Sequence, residues 1–325
     1  MTITIPIVDM KLFEGPAEDK KKFAQEFGSG FREIGFAVVK NHPISPELIK
    51  QAYDVSVKFF AQSQEVKDKY ELPDQDRQRG YSPFRTEKAK NKTENQADLK
   101  EFWMLGRDIK EGTDLAEMYR WRNIWPSEVS EFEKTMLSLF DGFETTAKLL
   151  LQACAIYLGE DENMLADMIN NGDSSIRMLH YPPQADGIPE GAIRSAEHED
   201  IDMITLLCEA IEPGLQVQDL DGNWLALQAE PGQLVVNAGD MLQNLTNGYL
   251  KSTTHRVVNQ ESGPAKPRYS MPFFCHPRPE VDISPTQNCI EKTGGEQKFR
   301  NLTQAEYLAE RLAEINMPSK TTVNA

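Results

Sequence analysis

Apolar residues recur at helical spacing through the first half of the chain and at alternating spacing through the second. In residues 17–31 (AEDKKKFAQEFGSGF) Phe23, Phe27 and Phe31 are four apart, which places them on one stripe of a helix. The run 35–42 (GFAVVKNH) is short and β-branched, and predicts a strand. Ser45-Pro46 marks a helix start: the hydroxyl accepts from first-turn N–H groups, and the proline ring presets φ. That helix runs through Ala52, Val55, Phe59 and Phe60. Residues 72–100 are polar and carry the turn-like Arg79-Gly80-Tyr81-Ser82-Pro83. They read as a long irregular excursion, a kind of segment that often borders a site. The longest helical signal covers 127–159, with Phe132, Met136, Leu139, Phe143 and Leu150 on its apolar stripe and Gly159 as its stop.

Near Ser174 the period changes. SIRMLHYPP, MITLLCEAI, GLQVQD, NWLALQ, QLVVNAG, HRVVNQ and RYSMPFF are short β-rich runs parted by Asp-Gly, Pro-Gly, Ala-Gly-Asp and Asn-Gly turns. Such spacing predicts an antiparallel sandwich or barrel. A helix resumes after Thr303, a cap residue, in TQAEYLAERLAEI. The expected class is mainly β with flanking helices, in one domain over 1–325. Within it, 1–170 is helix-rich, 171–280 holds the β-core and any metal site, and 281–325 is a loop and helix.

Composition narrows the function. The 325 residues carry 35 Lys+Arg against 51 Asp+Glu, a formal charge of −16. An acid surplus disfavours binding to nucleic acid or to an anionic membrane surface, both of which depend on clustered basic residues. The start, MTITIPIVDMKLFEG, lacks a basic and apolar leader, and no run approaches ~18 apolar residues. Cys154, Cys208, Cys275 and Cys289 show no C-x-x-C spacing, so they read as reduced thiols rather than a disulfide framework. The expectation is a cytoplasmic protein acting on a small molecule, with no protein partner implied.

Three polar residues in the β half stand out. His198 and Asp200 are two apart in EHEDIDMITLL, so on a strand they share a face; His255, in KSTTHRVVNQ, belongs to another predicted strand. Two imidazoles and one carboxylate on one face of an iron leave the opposite positions open, the logic of the facial triad. A lone H-x-D has a bland alternative, a surface patch or a cap. Arg268 and Ser270 also share a face, which suits a guanidinium and a hydroxyl closing on one carboxylate; the bland alternative for Arg268 is a surface ion pair. Glu197 and Glu199, alternating with the H-x-D pair, read as solvated charges.

In order, HEDIDMITLL, GLQVQDLDGNW, PGQLVVNAGDMLQNLTNGYLKSTTHRV and RYSMPFFCHP resemble the isopenicillin-N-synthase-like Fe(II)/2-oxoglutarate oxygenases. The dense resemblance covers roughly 174–280, and a looser one extends through IPIVDM, GFAVVKNH, RGYSP and KEFW. It implies a double-stranded β-helix, or jelly roll. It further implies that His198, Asp200 and His255 bind iron, that Arg268 and Ser270 hold the far carboxylate of 2-oxoglutarate, and that Tyr181 donates a hydrogen bond to this co-substrate. Tyr181 has an equal alternative as a core tyrosine. The chain departs from the family pattern in two places: the His255–Arg268 interval is lengthened at Ser262-Gly263-Pro264, and Leu179-His180-Tyr181 stands where Asn-Tyr-Tyr is common.

The activity implied is an Fe(II)-, O2- and 2-oxoglutarate-dependent dioxygenation of a small molecule, giving hydroxylation, desaturation or cyclisation with succinate and CO2, with ascorbate as a conceivable activator. No catalytic side chain beyond the metal ligands is implied. Arg79, Tyr81, Lys100, Phe102 and Phe273 fall in segments that border the pocket in relatives, though solvated loop charges are the plainer reading of Arg79 and Lys100. Two alternatives stay open: an oxidase of the isopenicillin N synthase or aminocyclopropane-carboxylate oxidase type that does not consume 2-oxoglutarate, and a non-catalytic jelly-roll binding module.

Overall fold

Strands whose side chains alternate between two faces form the centre of this molecule, and helices pack over them. The computed structural model describes residues 5–75, 77–84, 100–183, 194–209, 213–258 and 266–316. Its strands are β1 (Ile7–Asp9), β2 (Phe36–Lys40), β3 (Gly80–Ser82), β4 (Glu101–Gly106), β5 (Ser175–Tyr181), β6 (Ser195–His198), β7 (Ile204–Cys208), β8 (Leu215–Gln218), β9 (Trp224–Ala226), β10 (Gln233–Ala238), β11 (His255–Val257), β12 (Arg268–Ser270) and β13 (Pro272–Cys275). The helices are α1 (Ala17–Glu33), α2 (Pro46–Phe60), α3 (Gln64–Asp68), α4 (Asp114–Met118), α5 (Phe132–Leu158), α6 (Met164–Met168), α7 (Asp240–Leu245), α8 (Gln287–Lys292) and α9 (Gln304–Asn316).

Two sheets result. The larger runs β1-β2-β10-β7-β13-β5-β4-β3, with β12 also paired to β5; the smaller runs β6-β11-β8-β9. Pairing is antiparallel except between β1 and β2. All seven β-rich runs of the second half form strands, RYSMPFF splitting at Met271 into β12 and β13. The large sheet crosses the expected boundary at residue 170, because β2 pairs with β10 and β4 pairs with β5. Gly80–Ser82, expected as part of an irregular excursion, is a buried strand on β4. The Ser262-Gly263-Pro264 segment lies outside the described residues.

Helices cover the outer face of the large sheet. Phe23, Phe27 and Phe31 stack along α1 at centroid spacings of 5.8 and 4.5 Å. Ser45 caps α2 by accepting from the Leu48 N–H at 3.2 Å. Thr303 and Glu306 form a reciprocal box at the start of α9. The 27 residues of α5, about 40 Å long, pack Phe140 and Phe143 on Phe273 of β13, ring centroids 5.4 and 5.2 Å apart. Gly159 ends α5 at φ 74°, where a side chain would be strained. All four cysteines are buried and unbridged. Among the described residues no helix is long and apolar enough to cross a membrane.

Gly35 governs how β2 enters the sheet. Its φ is +74°, and a Cβ there would meet the Lys251 carbonyl oxygen at 2.4 Å and Thr253 Oγ1 at 2.6 Å. Glycine therefore lets the turn before β2 press against the segment leading to His255, which brings Phe36 edge-on to the His255 ring at 5.6 Å.

Candidate active site between the two sheets

A cleft of about 640 Å³, open to solvent, lies between the sheets. Strand alternation furnishes its walls in pairs: Thr205 and Leu207 from β7, Val235 and Asn237 from β10, Arg268 and Ser270 from β12, Pro272 and Phe274 from β13. Their chain neighbours Leu206, Val236 and Phe273 face the helices and are wholly buried. Opposite, β11 and β6 of the small sheet supply His255, Val257, Ser195 and His198.

Ligand atoms of His198, Asp200 and His255 lie within 4.8 Å of one another on this cleft. His198 ends β6 and sits directly across from His255 of β11, ring centroids 4.4 Å apart. Asp200 is not on the strand with His198, as the two-residue spacing had implied. The strand stops at His198, and Asp200 occupies the link to β7, buried where the imidazole beside it is 43% exposed. The carboxylate thus reaches the two rings from below, with Nε2 of each ring 3.7 Å from an Asp200 oxygen.

The donor chemistry fits a divalent metal. Nδ1 of His198 is 2.7 Å from the Ala196 carbonyl and Nδ1 of His255 is 3.1 Å from the Thr253 carbonyl. A carbonyl only accepts, so each Nδ1 carries the proton and each Nε2 turns its lone pair to the common point. Although one edge of its ring is open to the cleft, the protein packed around the rest of it, and then the neighbouring His255, draw the His198 pKa down from 6.5, which favours the neutral, ligating imidazole. Burial works against the Asp200 charge, but His255, His198, and hydrogen bonds from Thr205 and Asn237 outweigh it and hold its pKa below 3.8.

Two residues that the sequence reading passed over complete this arrangement. Thr205 Oγ1 donates to Asp200 Oδ2 at 2.6 Å, and Asn237 Nδ2 donates to the same oxygen at 2.9 Å. The two are cross-strand partners on β7 and β10. They saturate Oδ2 and leave Oδ1 to point elsewhere. Thr205 also lies 3.0 Å from Asp202 Oδ2. The one hydroxyl hydrogen of Thr205 is thus shared between the two carboxylates, and burial, with the nearby Asp200, raises the Asp202 carboxyl well above its ordinary value. The available signal was a polar residue on the inward face of an otherwise apolar strand, in MITLLC and in QLVVNAG.

Of the other predicted positions, Arg268 and Ser270 face the cleft from β12, with Arg268 paired to Tyr181 and Ser270 to Leu179 of β5. The Arg268 guanidinium carbon is 5.3 Å from the Tyr181 ring centre. Burial lowers its pKa below the ordinary guanidinium value, an environment in which a carboxylate would be a welcome neighbour. Lys100 lines the cleft. Phe273 does not: it stacks on Phe143, and its neighbour Phe274 takes the cleft side. Phe102 packs with Met104, Leu179 and Tyr181. Arg79 is buried against Asp173 at 3.5 Å, not a solvated loop charge. Glu197 meets Arg256 at 3.2 Å, and Glu199 accepts from Thr254. Tyr81 donates to Glu101 at 2.5 Å, which also holds Lys67 and His180 at 2.7 Å each; His180 is therefore structural.

Comparison with known proteins agrees with this geometry. Residues 172–277 match the family described as the 2OG-Fe(II) oxygenase superfamily, and residues 5–128 match the non-haem dioxygenase in morphine synthesis N-terminal family. The chain belongs to the 2OG-Fe(II) oxygenases, iron- and 2-oxoglutarate-dependent oxidoreductases. It is 30% identical over 283 residues to a 2-oxoglutarate-Fe(II) type oxidoreductase of Aspergillus fumigatus, covering 85% of this chain and 82% of that one. It is 29% identical to a homoarginine-6-hydroxylase of rice, covering 95% and 96%. Among solved structures, a 2OG-Fe(II) oxygenase family protein of Caulobacter crescentus superposes with a TM-score of 0.85 at 39% identity, over 97% of this chain and all of that one. A full-length Neurospora crassa protein solved in complex with alpha-KG gives 0.85 at 31%, over 95% of each.

Proposed function

We propose that His198, Asp200 and His255 hold the iron, that Arg268 and Ser270 receive the far carboxylate of 2-oxoglutarate, and that Tyr181 borders the co-substrate. The substrate in this reading is a small molecule, consistent with the acid surplus and with a cleft that opens between the two sheets. The observation that carries it is the facing of two unlike walls: a neutral-imidazole and carboxylate trio on one side, a guanidinium and hydroxyl two residues apart on the other.

Bound there, iron supplies oxygen activation coupled to oxidative decarboxylation of 2-oxoglutarate, with an oxygen atom delivered to a substrate C–H bond. The protein's part is to bind and orient. Nδ1 protons parked on the Ala196 and Thr253 carbonyls keep both Nε2 atoms available. Thr205 and Asn237 fix the Asp200 carboxylate. Arg268 and Ser270 set the direction from which the co-substrate reaches the metal, and Phe36, Leu207 and Phe274 give the cleft apolar surface that limits water.

Succinate formation from 2-oxoglutarate, Fe(II) and O2 in the presence of a substrate tests this. Oxygen uptake without succinate would move the protein to the oxidases that spare 2-oxoglutarate. Neither oxygen uptake nor succinate with any substrate would overturn the oxygenase reading.

A further inference from the structure

The cleft has a charge balance opposite to that of the whole protein. The chain carries −16, yet among the described residues lining the cleft one carboxylate, Asp200, stands with three cations, Lys100, Arg177 and Arg268. Asp200 belongs to the metal trio, and Arg268 to the wall assigned above to 2-oxoglutarate. Arg177 lies elsewhere on that wall. On β5 it precedes Tyr181 by four residues, so it shares the face of Leu179 and Tyr181 but lies about 13 Å along the strand from the Arg268 pairing position. A five-carbon diacid held at Arg268 does not extend that far.

Arg177 is also held in a particular way. Its guanidinium carbon is 4.5 Å from the Phe102 ring centre and 5.7 Å from that of Phe274, with Nη2 3.9 Å from the Met104 sulfur. Aromatic rings that stabilise a guanidinium through its flat face fix the plane in which its N–H donors point. A fixed planar fork matches the two oxygens of a carboxylate. Lys100, on the residue before β4, falls opposite Tyr181, at the Arg268 end of the strand, so Arg177 is the cation at its own end of β5 among the described lining residues. On the strands between β5 and the metal trio the lining is apolar at Phe274 of β13 and Leu207 of β7, a surface for the body of a ligand rather than its charge.

We propose that Arg177 is the substrate-anchoring residue, and that the substrate carries a carboxylate separate from that of 2-oxoglutarate. This rests on the oxygenase reading, in which iron and 2-oxoglutarate occupy the other end of the cleft.

The test uses enzyme loaded with Fe(II) and saturating 2-oxoglutarate under argon, so that Arg268 is engaged and ligands bind without turnover. Benzoate, phenylacetate, 3-phenylpropionate and hexanoate are each titrated by calorimetry against the corresponding primary amide. At least one acid is expected to bind ~10-fold or more tightly than its amide. Arg177→Gln is expected to bring that ratio close to one while 2-oxoglutarate binding stays within about twofold, and Arg177→Lys to restore part of the preference. Where Arg177→Gln does not fold, Arg177→Lys serves alone, with the ratio expected to fall partially because the planar fork is lost. A panel in which no acid outbinds its amide overturns the proposal, as does a preference that survives Arg177→Gln or, where that variant does not fold, is unchanged in Arg177→Lys. An amide that binds as well as its acid, and loses affinity in Arg177→Gln, would show a neutral carbonyl at that position and refute the carboxylate. Failure of wild type to bind 2-oxoglutarate, scored in the same cell, would instead count against the oxygenase reading.

Discussion

The two faces of the large sheet share the same strands and have opposite characters. On the helix side β7 offers Ile204, Leu206 and Cys208, β10 offers Leu234 and Val236, and β13 offers Phe273, all sealed under α5 and its neighbours. On the cleft side those strands offer Thr205, Leu207, Val235, Asn237 and Phe274. There the apolar packing is broken into two small clusters, one around Phe36, Leu215 and Val217 and one of Phe102, Met104, Leu179 and Tyr181, with the metal trio and cations between them. One face stores stability, and the other gives up packing for a cavity lined with groups that are costly to bury. A strand can serve both purposes because its side chains alternate, so each strand carries structural and chemical positions one residue apart.

Substitutions on the cleft side and on the helix side should therefore behave as opposites. The largest effect is expected at Asp200→Ala: iron content measured by metal analysis falls to near zero and 2-oxoglutarate turnover with it, while the melting temperature of the metal-free protein changes little. Phe273→Ala reverses the pattern, costing about 3–5 kcal/mol in denaturant unfolding through the lost ring and the cavity left under α5, with iron binding intact in the folded fraction. Arg268→Gln is expected to raise the KM for 2-oxoglutarate on the order of 10–100-fold, read against unchanged iron stoichiometry. Asn237→Ala removes one of two donors to Asp200 and should weaken iron affinity by about 10-fold or somewhat more in a competition titration. A tight iron site in Asn237→Ala would mean that Thr205 alone suffices.

The smallest expected effect is on acid stability. Burial pulls His276 down to about 4 from 6.5. The unfolded chain takes up a proton near pH 6.5 that the folded chain refuses until pH approaches 4. Stability is then fully present above 6.5 and declines as pH falls through that interval. His276→Gln should flatten this part of a melting-temperature profile; an identical slope in the variant would show that His276 contributes nothing to it.

Much of this division was legible in the chain. The period-two runs predicted β5 and every strand from β7 to β13, and the H-x-D and R-x-S spacings singled out residues that the fold gathers on one cleft. What spacing could not convey is where a strand stops. His198 and Asp200 converge because the backbone leaves β6 between them, an event set by the tertiary turn toward β7 and not by alternation. Phe273 and Phe274 were distinguishable only as opposites, since which face met helices depended on the placement of α5. Thr205 and Asn237 escaped notice because one polar residue in an apolar run has no meaning until the carboxylate it serves is located. Arg177 shares the face of Tyr181 by simple counting, and only the rings of Phe102 and Phe274 give that position significance.

The pairing of β2 with β10 also bears on how the chain is made. Val38 lies opposite Val235, about 200 residues later, and β4 must wait for β5, some 70 residues on. Residues synthesised first thus leave the ribosome with unpaired strand edges whose partners do not yet exist, while α1, α2 and α5 have local structure but lack the sheet that covers their apolar stripes. Folding dominated by such distant pairings is slow and exposed to aggregation. For this protein, the interval between the emergence of β2 and that of β10 is the period in which a chaperone would matter most.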